Sequence, residues 1–501
     1  MNEQVTVLVN SAPVRVERGA CLSEVVMGEK PCGGHGKCGK CKVFATGELS
    51  PVTEEERRLL SRDEVEQGIR LACVTCVLGE CTVKTLSVND TTEILTVGTL
   101  SDFSFAPTFT RYGVAIDIGT TTVAARLYNA DGRLLSDASA LNPQQKWGAD
   151  VVSRVEAALG GAADSLADAI RSVLDTLIEE LSRSAGIDAK EIDGAVVTGN
   201  TVMLSLFVME DVAPLSCAPF VARRLFGESL TAGELSLSTL SRETPIYLPP
   251  CISAFVGADM TSAILATGLC KGKTALLVDI GTNGEIALWR GERLIVCSTA
   301  AGPAFEGVGI SMGMRSALGA IDKVTEYNGR LYAHVIGGEM PKGICGSGLV
   351  DAVAALLDLE ILDESGLLEN GSCTIEAPVM LTQGDIRMFQ LAKGAITAGI
   401  ETLLREERVS IEEITTLYIA GGFGAYLNMK NAVRVGLLHG SLARASRTVG
   451  NAALSGASML LLSRDARKEA ETLAKGAKTL VLSANPTFVD LYMRNMTFEA
   501  R

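Results

Sequence analysis

The chain has 501 residues, of which 47% are hydrophobic and 21% are charged, so it has the composition of an ordinary folded protein with room for about three domains. Its net charge of −14 argues against nucleic acid or an anionic membrane as a partner. No apolar run approaches the about 18 residues of a membrane span, and the N-terminus, Met-Asn-Glu-Gln-Val, lacks the features of a signal peptide. We therefore expect a cytoplasmic protein whose 13 cysteines stay reduced.

The N-terminal segment predicts a small α+β domain. Alternating residues indicate a strand at 4–9 and a second strand from Val14, and a short helix follows at Cys21. A cysteine-rich loop, a strand at 42–45, a helix at 54–60 and a last strand from Cys81 complete the segment. This succession is the order of a β-grasp domain.

Seven of the 13 cysteines lie before position 82, and the loop Cys32-x5-Cys38-x2-Cys41 also contains four glycines. Three thiolates on one loop with a distant fourth, Cys73, resemble the plant-type ferredoxin arrangement around a [2Fe–2S] cluster. Glycines let backbone N–H groups approach such a cluster. Cys73 is preferred as the fourth ligand because it directly follows the predicted helix, as in ferredoxins, and Cys76 is the runner-up.

Two other metal centres could use cysteines of this loop. Structural zinc prefers two separated Cys-x2-Cys pairs, and Cys73-x2-Cys76 supplies a second candidate pair, so zinc stays open. A Rieske centre needs two histidines. His35 is in the loop, but the other two histidines, His334 and His439, are far away in sequence.

One short pattern occurs twice further along the chain. Val114-Ala-Ile-Asp117-Ile-Gly-Thr-Thr-Thr is repeated as Leu277-Val-Asp279-Ile-Gly-Thr-Asn-Gly-Glu285, with the two aspartates 162 positions apart. Each copy predicts a strand that ends on a carboxylate, a glycine turn and a second strand. Two such turns, lined by N–H groups and hydroxyls, are suited to bind opposite sides of a polyphosphate.

Two glycine-rich turns belong to the same α/β region. Ala420-Gly421-Gly422-Phe423-Gly424 follows a predicted strand, and only glycine lets a backbone lie against a base or ribose. Gly346-Ser347-Gly348 precedes a helix predicted at 349–357, where a helix N-terminus offers an anion site or simply a tight turn. A helix is also predicted at 390–405, with Lys393 in its first turn.

In this order and spacing, the two aspartate turns and the 420–424 turn resemble the phosphate-1, phosphate-2 and adenosine motifs of the acetate and sugar kinase, Hsp70 and actin (ASKHA) superfamily. Joined to a ferredoxin-like domain, the chain is similar to the ATP-dependent reductive activators of corrinoid proteins, which are also found in O-demethylase methyltransferase systems. Asn142-Pro-Gln-Gln and Ile344-Cys-Gly-Ser-Gly add to the likeness.

The resemblance implies four segments. They are a [2Fe–2S] ferredoxin-like β-grasp domain at 1–90, a linker at 91–111, a first ATPase lobe at 112–272 and a second at 273–501. The last two segments together would form a two-lobed α/β ATPase with duplicated actin-like (ribonuclease H-like) subdomains.

The resemblance also implies roles for residues. Asp117 and Asp279 would hold Mg²⁺ or its waters, and Glu285 would orient the attacking water. ATP would be bound by a larger set of glycines and polar residues, namely Gly119, Thr120, Thr121, Thr122, Gly281, Thr282, Asn283, Gly284, Gly346, Ser347, Gly348, Gly421, Gly422 and Gly424.

The expected reaction is the transfer of single electrons from the cluster to cob(II)alamin, which gives cob(I)alamin. The expected partners are a corrinoid protein or corrinoid-dependent methyltransferase and a low-potential electron donor, with a homodimer left open. Two alternatives remain: an activator of a radical dehydratase or aromatic-ring reductase, and a non-enzymatic ATP-gated redox sensor.

Overall fold

The structure is a computed structural model, and it describes residues 4–9, 12–26, 41–60, 62–66, 68–85 and 100–499. The chain forms two compact units. One combines Met1–Glu93 with Glu306–Met388, and the other combines Ile94–Phe305 with Phe389–Arg501. Within the described ranges, no helix has both the length and the apolar character needed to cross a membrane.

The N-terminal part of the first unit is a mixed five-stranded sheet with three short helices. Its elements are β1 (Gln4–Val9), β2 (Ala12–Glu17), α1 (Ser23–Val26), β3 (Lys42–Leu49), α2 (Glu54–Leu59), α3 (Arg62–Glu66), β4 (Ile69–Leu71) and β5 (Val77–Thr85). The strand order is β2-β1-β5-β3-β4, with β1 and β5 parallel. A capping box between Thr53 and Glu56 begins α2. The predicted α+β class of this segment is confirmed.

The second unit begins with a six-stranded sheet and its helices. Its elements are β6 (Tyr112–Ile118), β7 (Thr122–Asn129), β8 (Leu134–Leu141), α4 (Val151–Ala157), α5 (Ala163–Ala185), β9 (Ile192–Gly199), α6 (Thr201–Phe207), β10 (Glu228–Thr231), β11 (Pro245–Leu248) and α7 (Ala258–Thr267). The apolar face of α5 carries Ile170 and Leu174, which are fully buried in the same core as Ile116 of β6. The strand order is β10-β11-β9-β6-β7-β8.

The next strands, β12 (Ala275–Ile280), β13 (Gly284–Trp289) and β14 (Leu294–Thr299), begin a second sheet of the same unit. The chain then enters the first unit at residue 306. The elements there are β15 (Ala320–Tyr327), β16 (Arg330–Val335), β17 (Gly343–Ile344), α8 (Gly346–Asp358), β18 (Ser372–Glu376) and β19 (Val379–Thr382). We call residues 306–388 the inserted segment.

The inserted segment contacts the N-terminal sheet domain inside the first unit. The Thr325 hydroxyl donates to the carbonyl oxygen of Arg58 at 3.3 Å, and the Arg58 guanidinium lies 5.4 Å from the centre of the Tyr332 ring. Lys323 approaches Glu64 at 3.7 Å. These contacts are polar and partly exposed, so each contributes little to stability by itself.

The chain returns to the second unit within a long helix. The remaining elements are α9 (Gln383–Glu406), β20 (Thr416–Ala420), α10 (Met429–Arg434), α11 (Gly440–Arg444), β21 (Ser446–Gly450), α12 (Ala452–Leu462), α13 (Arg464–Gly476), β22 (Lys478–Thr479) and α14 (Pro486–Arg494). The second sheet has the order β21-β20-β12-β13-β14-β22. Each sheet contains three consecutive antiparallel strands, β6 to β8 in the first and β12 to β14 in the second. The first strand of each run also pairs in parallel with a strand from later in the chain, β9 or β20. The predicted duplication is therefore confirmed.

Two helix boundaries differ from the sequence expectation. The helix predicted at 390–405 already begins at Gln383, so Lys393 lies in its interior. Lys393 is buried, and its ammonium donates a hydrogen bond to the carbonyl oxygen of Thr497. The helix predicted at 349–357 begins at Gly346, because the glycines form its first turn instead of a loop.

The α7 and α12 helices join the two halves of the second unit. A Cβ atom at Gly456 of α12 would lie 2.0 Å from the carbonyl oxygen of Ser262 in α7. Only glycine therefore permits this close crossing of the two helices.

Candidate nucleotide-binding and iron–sulfur sites

The first predicted phosphate turn closes the β6–β7 hairpin. Asp117 lies opposite Ala124 near the end of this antiparallel pair, and Gly119 N–H donates to the carbonyl oxygen of Thr122 at 2.9 Å. A Cβ atom at Gly119 would lie 2.7 Å from that same oxygen, so the tight turn needs glycine. Asp117 is 9% exposed.

The second predicted phosphate turn closes the β12–β13 hairpin in the same way. Asp279 lies directly opposite Glu285, and Gly281 N–H donates to the carbonyl oxygen of Asn283 at 3.1 Å. The two acidic side chains of this pair therefore lie next to each other on adjacent strands. Both hairpins belong to the second unit.

Four carboxyl groups influence one another in this unit. Burial raises the pKa of Asp117 to about 8, and the charges of Asp259 and Asp279 add to the rise. Burial likewise raises the pKa of Glu285 well above its usual value, with Asp259 and Asp279 as further causes. Burial also raises the pKa of Asp259, at the start of α7. Such a cluster of perturbed carboxyl groups is a candidate functional site.

The carboxyl groups do not converge into a dedicated metal cage. Among the residues that the structure describes, no group of three or more His, Cys, Asp or Glu side chains is placed to hold one metal ion. Mg²⁺ usually takes only one or two carboxylates and completes its shell with water and phosphate oxygens. The arrangement fits that mode of binding.

The predicted adenosine turn follows β20. Gly421 has a φ of 92°, and a Cβ atom there would lie 2.8 Å from Asp279 Oδ1. This turn is therefore adjacent to the second phosphate turn. A Cβ atom at Gly422 would have no heavy atom within 4 Å, whereas one at Gly424 would contact Ile419 at 2.6 Å. Gly422 borders open space, and Gly424 is required for packing.

Several polar residues around the first hairpin were missed by the sequence interpretation. Asn451 Nδ2 donates to Asp117 Oδ2 at 3.1 Å, and Asn200 Nδ2 donates to Thr120 Oγ1 at 3.1 Å. Asp259 was missed as well. Asn200 and Asn451 are helix N-caps, of α6 and α12, and the sequence signal was an asparagine at the end of a strand and before a helix.

Gly346, Ser347 and Gly348 belong to the other unit, where they form the first turn of α8. The Ser347 hydroxyl donates to the carbonyl oxygen of Asp322 at 2.9 Å, and a Cβ atom at Gly348 would lie 2.3 Å from the carbonyl oxygen of Ile321. These contacts pack α8 against β15. A nucleotide role for this turn stays a prediction.

Two of the four predicted cluster ligands lie together in the N-terminal domain. Cys41 Sγ and Cys73 Sγ are 3.1 Å apart, and Cys73 N–H points to Cys41 Sγ at 3.5 Å. Both side chains are buried. Cys32 and Cys38 lie outside the described residues.

A buried ion pair holds the turn that carries Cys73. The Glu56 carboxylate accepts from Arg70 Nε at 2.8 Å, from Leu71 N–H at 3.0 Å and from the Thr75 hydroxyl at 2.9 Å. Burial opposes ionisation of Glu56, but these hydrogen bonds outweigh it and lower its pKa. Both sides of Cys73 are thus anchored to one carboxylate.

The duplicated sheets, the two aspartate hairpins and the glycine turn define an ATPase domain of the ASKHA superfamily. Two family models match this region. The RACo middle region matches residues 112–272, and the C-terminal domain of RACo, described as the ASKHA domain, matches residues 273–501. The chain belongs to the RACo family, the reductive activators of corrinoid proteins.

Individual relatives agree with this assignment. The chain is 35% identical to the corrinoid activation enzyme RamQ of Eubacterium limosum, over 77% of this chain and 70% of the relative. It is 27% identical to the [Co(II) methylated amine-specific corrinoid protein] reductase of Methanosarcina barkeri, over 77% of each chain. A solved reductive activator for a corrinoid, iron-sulfur protein superposes with a TM-score of 0.72 at 28% identity and covers 98% of both chains.

Proposed function

We propose that this protein is an ATP-dependent reductive activator, which passes single electrons from a [2Fe–2S] cluster to the cob(II)alamin of a corrinoid protein and so forms cob(I)alamin. The observation that carries the proposal is the combination of a buried cysteine pair with a two-hairpin ATPase in one chain of the RACo family. The two relatives described above have names that connect them with corrinoid proteins.

The described cysteines suit an iron–sulfur cluster. The sulfurs of Cys41 and Cys73 are close enough to bind the same iron, and Cys32 and Cys38 would serve the other. The closeness of Cys41 and Cys73 favours Cys73 over Cys76 as the fourth ligand. When bound, the cluster supplies single electrons at the low potential that is typical of plant-type ferredoxins.

The second unit would bind and hydrolyse ATP. Asp117 and Asp279 would hold Mg²⁺, whose positive charge would favour the ionised form of Asp117 against the burial and the neighbouring carboxylates that raise its pKa. The hydroxyls and amides of both hairpin turns would bind phosphate oxygens, and Gly421 and Gly422 would face the adenosine. Glu285, opposite Asp279, would orient the attacking water.

ATP would be needed because reduction of cob(II)alamin requires a lower potential than is typical of plant-type clusters, so electron transfer from such a cluster would be uphill. A conformational change driven by ATP hydrolysis would alter how the activator binds the corrinoid protein. A low-potential donor would then reload the cluster.

The test uses the full chain with reconstituted iron, a corrinoid protein from a methyltransferase system and a chemical reductant. We expect cob(I)alamin to appear in the absorption spectrum with Mg²⁺ and ATP, but not with a non-hydrolysable analogue. Glu285→Gln serves as the matched variant that retains the cysteines. The absence of ATP-dependent cob(I)alamin with every corrinoid protein tested would contradict the proposal.

A further inference from the structure

One stretch of chain, residues 142–154, binds the backbone of the first phosphate turn, residues 119–121. Asn142 Nδ2 donates to the carbonyl oxygen of Gly119 at 2.8 Å. Arg154 Nη2 donates to that of Thr120 at 2.5 Å. Gln145 Nε2 and the Asn142 backbone N–H both donate to that of Thr121 at 3.0 Å. Three consecutive carbonyl groups are thus bound by the segment between Asn142 and Arg154.

Arg154, at the end of this segment, makes several contacts. Its side chain is fully buried on α4, and its Nε also donates to the carbonyl oxygen of Gly148 at 3.0 Å. Its Nη1 lies 3.4 Å from Gln144 Oε1 and 3.2 Å from Met203 Sδ. Burial of a guanidinium costs several kcal/mol unless hydrogen bonds compensate. Here part of that compensation comes from the carbonyl oxygen of Thr120, which belongs to the phosphate turn.

The direction of the carbonyl groups determines the direction of the amides. A trans peptide holds its N–H opposite to its carbonyl oxygen, so the amides of residues 120–122 point away from Arg154 and its neighbours. In addition, Asn200 Nδ2 donates to the Thr120 hydroxyl at 3.1 Å. The turn is therefore set in advance to present donors to an anion, and the nearby positive charge favours that anion.

We infer that Arg154, together with Asn142 and Gln145, is a positioning residue for the phosphates of ATP. The inference rests on the proposed nucleotide role of the β6–β7 hairpin. Arg154 acts through the backbone of Thr120 and needs no contact with the nucleotide. A substitution that removes the hydrogen bonds of Arg154 would therefore weaken binding of the phosphates and leave the adenosine side of the site intact.

The test compares Arg154→Lys with the wild type in the full chain, by calorimetric titration with ATP, ADP and adenosine. Lysine keeps the charge but cannot donate to Thr120, Gly148 and Gln144 together. We expect affinity for ATP and ADP to fall about tenfold or more, while affinity for adenosine changes less than about twofold. The matched control is Arg171→Lys, which removes the guanidinium of a partly buried arginine on α5 from the carbonyl oxygen of Phe207 on α6 and should leave ATP affinity unchanged.

A second variant, Gln145→Leu, removes one donor without burying a charge and covers the case in which Arg154→Lys does not fold. It should weaken ATP binding with little change in melting temperature. Equal losses for ATP and adenosine, or unchanged ATP affinity in a folded variant, would overturn the inference and leave the proposed function standing. Failure of the wild type to bind ATP would overturn both.

Discussion

The side-chain amide of Asn451 donates a hydrogen bond to the Asp117 carboxylate at 3.1 Å, although 334 positions separate the two residues. Asn451 is the N-cap of α12, and Asp117 is the next-to-last residue of β6 in the first phosphate hairpin. The contact therefore joins the two halves of the ATPase at one carboxyl group. It opposes the effects of burial and of Asp259, which raise the pKa of Asp117 to about 8.

Mg²⁺–ATP binding should depend on pH through Asp117. Because its pKa is about 8, the group is largely protonated at neutral pH, whereas Mg²⁺ binds the carboxylate. Affinity should rise by up to about tenfold per pH unit below pH 8 and then level off, and binding at pH 7 should release protons. Calorimetric titration in buffers of different ionisation enthalpy measures both effects. An affinity that is flat between pH 6 and 8 would contradict the assignment.

The raised pKa of Asp117 also affects the stability of the protein in the absence of nucleotide. A raised carboxyl pKa means that the folded state binds more protons than the unfolded state between about pH 4 and pH 8, so the free energy of unfolding falls as pH rises through that window. Asp117→Asn should therefore melt higher than the wild type at pH 8 and should lose ATPase activity. Thermal melts at pH 5 and pH 8 test the sign, since the difference should shrink at pH 5.

Glu285→Gln should slow ATP hydrolysis by about 100-fold, with nucleotide affinity kept within about threefold, because the amide occupies the same space opposite Asp279 but cannot orient the attacking water as the carboxyl group would. Single-turnover hydrolysis and nucleotide titration separate the two effects. Glu292→Gln, on the exposed turn between β13 and β14, is the control and should behave as the wild type. Hydrolysis at the normal rate in Glu285→Gln would remove Glu285 from the mechanism.

Gly421→Ala should destabilise the protein and weaken nucleotide binding. Alanine would have to adopt a φ of 92° with its Cβ 2.7 Å from the carbonyl oxygen of Ile280, which costs about 1–2 kcal/mol in backbone strain alone. Gly422→Ala is the matched control for folding, because its Cβ meets no atom within 4 Å. Its melting temperature should be unchanged, whereas its nucleotide affinity should fall if adenosine fills that space.

Cys73→Ser should abolish the visible spectrum and iron content of the reconstituted protein, whereas Cys76→Ser should retain both. The reason is that the Cys73 sulfur lies 3.1 Å from the Cys41 sulfur, which places both in one candidate centre. Iron analysis and electron paramagnetic resonance of the reduced variants provide the measurement. Loss of iron in Cys76→Ser with retention of iron in Cys73→Ser would show that Cys76, and not Cys73, is the fourth ligand. Zinc in place of iron in the wild type would remove the electron-transfer role.

The duplicated architecture was predictable from local sequence. Apolar strands ending at Asp117 and Asp279, each followed by a glycine turn, specify two similar hairpins because strand and turn preferences act over a few residues. The N-terminal α+β class followed from the same kind of pattern. Helix starts were predicted less well, since α8 and α9 begin with glycines and polar residues that have weak helix propensity and are held by packing against the fold.

The sequence by itself determined the two aspartate hairpins, the glycine turn after β20 and the membership of Cys41 and Cys73 in one candidate centre. Only the tertiary structure decided which side chains support them. Asp259, Asn451 and Arg154 act on Asp117 and Thr120 from distant helices, and the inserted segment groups with the N-terminal domain instead of the sheet that it interrupts. Hairpins and turns depend on neighbours in sequence, whereas the pKa of a buried carboxyl group and the direction of a carbonyl depend on neighbours in space.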